Sequence, residues 1–238
     1  HVGFIGKVSD DEFGIKYEEG LENENVEYFY KKKKEELPTG TCLILVTPDS
    51  ERTMCTFLGT AGKINENDVN SDVIKRSQII FLEGYLWDEG SPKKAFDKAI
   101  NNANKVAMSL SDLFCVDRHK NNFLELVKNK LDITFANEQE ISSLIEAKDF
   151  NEVIDFSKQL NKMIVVTRGE KGSIAIQGEK VVECGIKKNL KIVDLTGAGD
   201  LFAAGFLHGY VNNLSIKESL KKGTELSSKI IQQIGARI

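Results

Sequence analysis

The chain has 238 residues, 41% of them hydrophobic and 29% charged, with a formal net charge of −4. That is enough apolar material for one sizeable α/β core, or a large domain with a small companion. The acidic balance argues against nucleic acid or an anionic membrane surface as a main partner, and no apolar run approaches the ~18 residues that would span a bilayer.

Near the start, "VGFIGKVSDDEFG" (2–14) reads as a Gly/Asp turn. Three β-branched or aromatic runs follow: "VEYFY" (26–30), "TCLILVT" (41–47) and "RTMCTFLG" (52–59). Turn material such as Pro48-Asp49-Ser50 splits them, so they predict antiparallel strands of a small sheet. Between them, Lys31 to Lys34 run directly into Glu35 and Glu36 and read as a solvated turn or edge guard.

Beyond about residue 75 the pattern alternates. Strands are predicted at 78–84, 112–117, 132–137, 162–167 and 191–195. A helix is predicted over 91–109, with Ser91 as N-cap and Pro92 in its first turn, and further helices over 119–129, 138–147, 150–161, 200–212 and 215–233. The stretch "KGSIAIQGEKVVECG" (171–185) reads as a hairpin. The expectation is an α/β fold: a mostly parallel sheet flanked by helices, with a small antiparallel β lid. Residues 1–75 would hold the lid sheet and its connections, and residues 76–238 the α/β core. Cys42, Cys55, Cys115 and Cys184 form no C-x-x-C pair and read as buried free thiols of a reducing, cytoplasmic setting. His1, His119 and His208 lack metal-ligand spacing.

The most informative join is Thr196-Gly197-Ala198-Gly199-Asp200, where a predicted strand meets an apolar helix. A helix start offers free amides and the positive end of a dipole, and Gly197, Ala198 and Gly199 keep the approach bare, as an anion hole requires. A carboxylate there would repel phosphate. Asp200 makes sense as a general base facing a hydroxyl that attacks the phosphate, and the dipole is expected to keep it ionised. The plainer reading is a helix capped by Thr196 or Asp200. Neither G-x-x-x-x-G-K-[ST] nor G-x-G-x-x-G occurs, which disfavours a nicotinamide-dependent oxidoreductase.

On "DLTGAGDLFAAGF" (194–206) the chain resembles the ribokinase-type (PfkB) family of carbohydrate and nucleoside kinases, whose signature is D-x-x-G-A-G-D before a small-residue helix. Three shorter matches follow family order: "VGFIGKVSDDEFG", "NEQE" (137–140) and "TRGEKGS" (167–173). The resemblance implies a ribokinase-like fold, and ATP and Mg²⁺ as donor and cofactor, with K⁺ a further candidate beside Asp194. It implies that Asn137 and Glu140 organise Mg²⁺ and phosphates through water; a capping box is the alternative. Thr167, Gly169, Gly172 and Gly235 would border the nucleotide, a hairpin turn being the alternative at 167–173. Within the family, "PTGTC" and "PDSERTMCTFLG" look most like the adenosine-kinase branch and nearby bacterial sugar kinases. By that likeness Arg52 approaches the transferred phosphate, Met54 and Thr56 face the acceptor, and Tyr85 stacks on a base. Arg52 could equally pair with Glu51 or Asp49, and Tyr85 could be a core aromatic.

The implied activity is transfer of the γ-phosphate to a primary hydroxyl of a nucleoside or sugar, adenosine first. Alternatives are a ribokinase- or fructokinase-like sugar kinase and a non-catalytic sugar- or nucleotide-binding relative. The family's first strand, with its hydroxyl-gripping Asp, is expected ahead of His1. The expected assembly is a monomer or a homodimer through the lid.

Overall fold

The computed structural model describes residues His1–Ile238. They divide into two interleaved compact units. One comprises His1–Leu45, Thr53–Ser77 and Leu86–Asn104; the other comprises Val46–Arg52, Gln78–Tyr85 and Lys105–Ile238.

In the first unit, β1 (Val2–Phe4) and β2 (Val26–Tyr28) form a parallel pair, with α1 (Glu12–Asn23) as the crossover that a parallel connection needs. The run at 26–30 was expected in the antiparallel lid; it instead pairs with the strand ahead of α1. Asp11 caps α1 by accepting from the Gly14 amide, so the Gly/Asp segment is a helix start. The strands β3 (Thr41–Val46) and β4 (Arg52–Phe57) form a separate two-stranded sheet, largely exposed on both faces. Its tip, Val46–Arg52, belongs to the second unit, where the Ser50 hydroxyl donates to the Ile192 carbonyl (3.2 Å). Helices α2 (Ser71–Arg76) and α3 (Ser91–Asn102) complete the first unit. Ser91 opens α3 but does not cap it. Gly90, at φ 91°, supplies the turn and no side chain caps the helix.

The second unit is built on a six-stranded sheet of β5 (Ile80–Glu83), β6 (Val106–Ser109), β7 (Ile133–Asn137), β8 (Met163–Thr167), β9 (Ser173–Gln177) and β10 (Lys180–Cys184). The spatial order is β10-β9-β8-β7-β6-β5; β5 to β8 are parallel, and the hairpin β9–β10 returns antiparallel at one edge. Strands β6 to β9 are almost wholly buried, as expected of strands covered on both faces. The helices are α4 (Leu113–Asn129), α5 (Glu138–Ile145), α6 (Phe150–Gln159), α7 (Ala198–Val211) and α8 (Ile216–Ile230). Phe202, Ala203 and Phe206 of α7 and Leu220 of α8 pack on Ile133, Phe135, Val165 and Ala175 of the sheet. The two helices approach so closely that a Cβ on Gly205 would lie 2.5 Å from the Lys222 carbonyl oxygen.

Three expectations are corrected here. The helix expected over 91–109 stops at Asn102, and Val106–Ser109 is an interior strand beside the edge strand β5. Its residues are apolar on both sides, so they continue the helical stripe by coincidence. The strand expected at 112–117 is the first part of α4: Ser111 reverses the chain at φ 71°, and Asp112 caps the helix by accepting from the Phe114 amide (2.8 Å). Asp117, the last residue of that expected strand, lies within the helix, which kinks at His119. The segment 191–195 forms no strand; the Val193 amide donates to the Ile231 carbonyl beyond α8 (2.8 Å). Of the cysteines only Cys115 is buried, while Cys42 and Cys55 are exposed; all four are free thiols. No helix is long and apolar enough to cross a membrane.

Candidate active site

Nearly all the residues singled out above belong to the second unit and fall at or near the ends of its sheet strands and helices. Helix α7 starts from Gly197, which sits at φ 78°. That left-handed backbone favours glycine, and a Cβ there would also lie 3.2 Å from the Ala236 Cβ. No side chain caps α7: neither Thr196 nor Asp200 does so. Leu201 makes the first bond back to the Gly197 carbonyl (2.9 Å), so the Gly199 and Asp200 amides precede the helical ladder. A Cβ on Gly199 would meet nothing within 4 Å. The result is a bare patch of donors.

The turn is braced from below by Asp194, which is 1% exposed. It accepts from the Thr196 amide (2.8 Å), the Thr196 hydroxyl (2.6 Å) and the Gly235 amide (2.9 Å). Burial pushes this carboxyl up, but those hydrogen bonds and the Arg52 charge outweigh it and hold it below its ordinary value. Gly235, at φ 96°, lies in the turn beyond α8, and that helix ends at Ile230, earlier than expected. Asp194 thus ties the start of α7 to the C-terminal turn.

Asp200 stands differently. It is exposed and makes no ion pair or hydrogen bond through its side chain. Its carboxyl is pushed up by desolvation among neighbouring protein atoms, against a lowering influence from Arg52. The helix dipole had suggested the opposite direction; the surrounding protein removes more water than the dipole offsets. Arg52 opens β4 and forms no salt bridge with Glu51 or Asp49. Asp49 accepts instead from the Thr47 hydroxyl and the Glu51 amide. The guanidinium is thus left to act on Asp194 and Asp200.

Sequence reading missed Glu83, the last residue of β5. Burial and the nearby Asp200 and Glu140 charges push its carboxyl up to about 7, although the Ser111 hydroxyl donates to it at 2.9 Å. Near neutral pH such a group can donate or accept. The available signal was an acid closing an apolar strand, "IIFLEG". Tyr85, two residues on, is half-exposed and not a core aromatic. Burial, then Asp112, Cys115 and Asp200, push its phenol up.

Asn137 and Glu140 form a full capping box at the start of α5. The Glu140 amide donates to Asn137 Oδ1 (2.8 Å), while Asn137 N and Nδ2 donate to the two Glu140 oxygens (2.9 and 2.6 Å). Glu140 is buried, which pushes its carboxyl up. Both its oxygens are engaged, so this pair fits a role toward hydrated Mg²⁺ through water, without direct ligation. Thr167, Gly169 and Gly172 shape the β8–β9 turn. Gly172, at φ 84°, is packed so that a Cβ would lie 2.2 Å from the Cys184 carbonyl oxygen, whereas Gly169 faces open space. Met54 and Thr56 lie on β4 in the first unit, both exposed, with Thr56 Oγ1 3.2 Å from Cys42 Sγ. A polar cavity of about 570 Å³ in that unit, bordered by Lys63, Glu66, Asp88 and Lys94, contains none of these residues.

Comparison with known proteins places the chain in a family. The family model described as "pfkB family carbohydrate kinase" matches residues 1–238. An uncharacterized sugar kinase of Archaeoglobus fulgidus is 27% identical over 99% of this chain and 93% of its own length. An adenosine kinase of Dictyostelium discoideum is 26% identical over 100% of this chain and 74% of its own. The crystal structure of adenosine kinase from Sinorhizobium meliloti superposes with a TM-score of 0.95 at 38% identity, over 99% of this chain and 74% of that one.

Proposed function

The chain belongs to the pfkB family of carbohydrate kinases, and from that premise we propose that it moves the γ-phosphoryl group of ATP to a primary hydroxyl of a nucleoside, adenosine first. It is a phosphotransferase acting on a nucleoside or sugar. The observation that carries the residue assignment is an unpaired carboxylate, Asp200, standing beside helix amides that nothing caps.

In this reading Asp200 takes the proton of the attacking hydroxyl, and its raised pKa strengthens it as a base. The Gly199 and Asp200 amides, on the frame set by Gly197 and Ala198, hold the charge that develops on the phosphoryl oxygens. Arg52 adds a diffuse positive charge and keeps Asp200 ionised. Glu83, held by Ser111, fits a hydroxyl of the acceptor, and the half-exposed face of Tyr85 supports a base over a bare sugar. Asn137 and Glu140 would orient water around Mg²⁺, which supplies charge neutralisation on the phosphates when bound. Thr167, Gly169, Gly172 and Gly235 would border the nucleotide. Asp194 already spends its oxygens on three donors, so a K⁺ ion near this loop would rest mainly on backbone carbonyls. The exposed apolar side chains of Leu43, Leu45, Met54 and Phe57 support a homodimer through the β3–β4 sheet, and four free thiols support a reducing compartment.

Adenosine-dependent ADP release exceeding that with ribose or fructose is the expected result of a panel of nucleosides and sugars. Turnover with a sugar alone would move the assignment to a sugar kinase. Ligand-induced melting shifts without ADP release would favour a binding protein.

A further inference from the structure

The turn at 168–172 is held unequally. At one end Gly172 is locked against the Cys184 carbonyl, and its amide donates to the Gly169 carbonyl (3.0 Å). At its tip Gly169, at φ 54°, has no atom within 4 Å of a would-be Cβ. Backbone hydrogen bonds close the turn on itself (Arg168 N to the Gly172 carbonyl, 2.8 Å; Lys171 N to the Arg168 carbonyl, 3.0 Å), and two side chains tie it to α5, both reaching the same group. Arg168 Nε donates to Glu138 Oε2 at 3.0 Å, and Lys171 Nζ donates to Glu138 Oε1 at 3.2 Å. The Arg168 guanidinium also lies 3.7 Å over the ring of Phe150, at the start of α6. The arginine is only 17% exposed, so this contact is better shielded than an ordinary surface ion pair. Burial raises the Glu138 carboxyl, but its two cationic partners hold it below the ordinary glutamate value.

Glu138 sits between Asn137 and Glu140 in the first turn of α5, and Asn137 pairs in register with Thr167 on the neighbouring strand. Two loops leave adjacent strand ends, and one carboxylate spans them. We infer that Glu138 is a positioning residue: through Arg168 and Lys171 it fixes the 168–172 turn against the start of α5, and so sets ATP affinity before ATP arrives. This rests on the reading that the turn borders the nucleotide. Rigid pre-placement of a binding loop improves affinity by removing the ordering cost, and leaves the chemical step alone.

The test measures MgATP binding by calorimetry, without acceptor, and steady-state kinetics on the full chain. Glu138→Gln and Arg168→Met should each weaken ATP binding and raise its KM about tenfold, and the largely exposed Lys171→Met about twofold. Turnover at saturating ATP and the acceptor KM should stay within about twofold, and the reversed pair Glu138→Arg with Arg168→Glu should recover most of the affinity. Wild-type ATP affinity in both single variants, or a loss that the reversed pair does not recover, overturns the inference while leaving the kinase assignment intact. Failure of the wild-type chain to bind MgATP would overturn both the nucleotide role of the turn and this inference.

Discussion

Two helices begin on neighbouring sides of the sheet's carboxyl end, and they begin differently. Helix α5 starts with a complete capping box, in which Asn137 and Glu140 exchange hydrogen bonds. Helix α7 starts from a left-handed glycine with no cap at all. A capped start has already satisfied its amides and contributes stability; an uncapped start keeps them for a ligand and forgoes that stability. The acids follow the same division. Glu140 is buried and occupied, whereas Asp200 is accessible and unpaired.

If α7 is the start kept for a ligand, filling its cradle should damage catalysis most. Gly197→Ala puts a side chain at φ 78° and against Ala236, and should lower kcat by roughly 10²-fold, the scale of losing one oxyanion donor. Unchanged kcat would mean that the bare amides do no catalytic work. At α5 the expected damage is to stability: Asn137→Ala should cost about 1–2 kcal/mol in a urea titration by removing the cap, an effect absent at α7 if Asp200 is varied.

The carboxyls can also be separated by pH. Asp200 must be ionised to accept a proton, so kcat/KM should rise with pH as it deprotonates, on a limb above the ordinary aspartate range. Arg52→Met removes the positive charge and should move that limb to higher pH, whereas Glu83→Gln should leave it in place, because Glu83, titrating at about 7, is still uncharged as Asp200 ionises. An unmoved limb in Arg52→Met would show that the guanidinium does not act on Asp200. Glu83 carries a stability signature too. Its folded pKa of about 7 lies above the ordinary glutamate value, so the folded state holds the extra proton. Stability is therefore greatest below the unfolded pKa and falls as pH rises through about 7, by about 3 kcal/mol at most. Glu83→Gln should flatten that fall in urea titrations at successive pH values.

The smallest effect concerns Ser173, beside the 168–172 turn. Its hydroxyl is buried with no hydrogen-bond partner. Ser173→Ala should raise stability by up to about 1 kcal/mol and leave the ATP KM unchanged. A weakened ATP KM would show that this hydroxyl serves the nucleotide.

The bare start of α7 was legible because it depends on local covalent facts: two glycines, an alanine and an acid in five residues. The strands β7 and β8 were legible for a similar reason, as continuous apolar runs of strand length. What sequence could not reveal came from contacts distant along the chain. Residues 191–195 look like a strand, yet their amide partner is the far end of α8. Val106–Ser109 fits the stripe of α3, and only its burial on both faces identifies a strand. Glu83 became visible as a titrating group only once Asp200 and Ser111 were brought beside it across the fold. The dipole argument for Asp200 failed similarly, because desolvation is a property of neighbours and not of sequence.

The most direct measurement is single-turnover phosphoryl transfer by Asp200→Asn, with MgATP and adenosine affinities measured in parallel. A carboxamide cannot receive the hydroxyl proton, so the rate should fall by about 10²–10⁴ with both affinities and the melting temperature nearly unchanged. A near-wild-type rate, or a loss traceable wholly to weaker ATP binding, would mean that another group carries the proton.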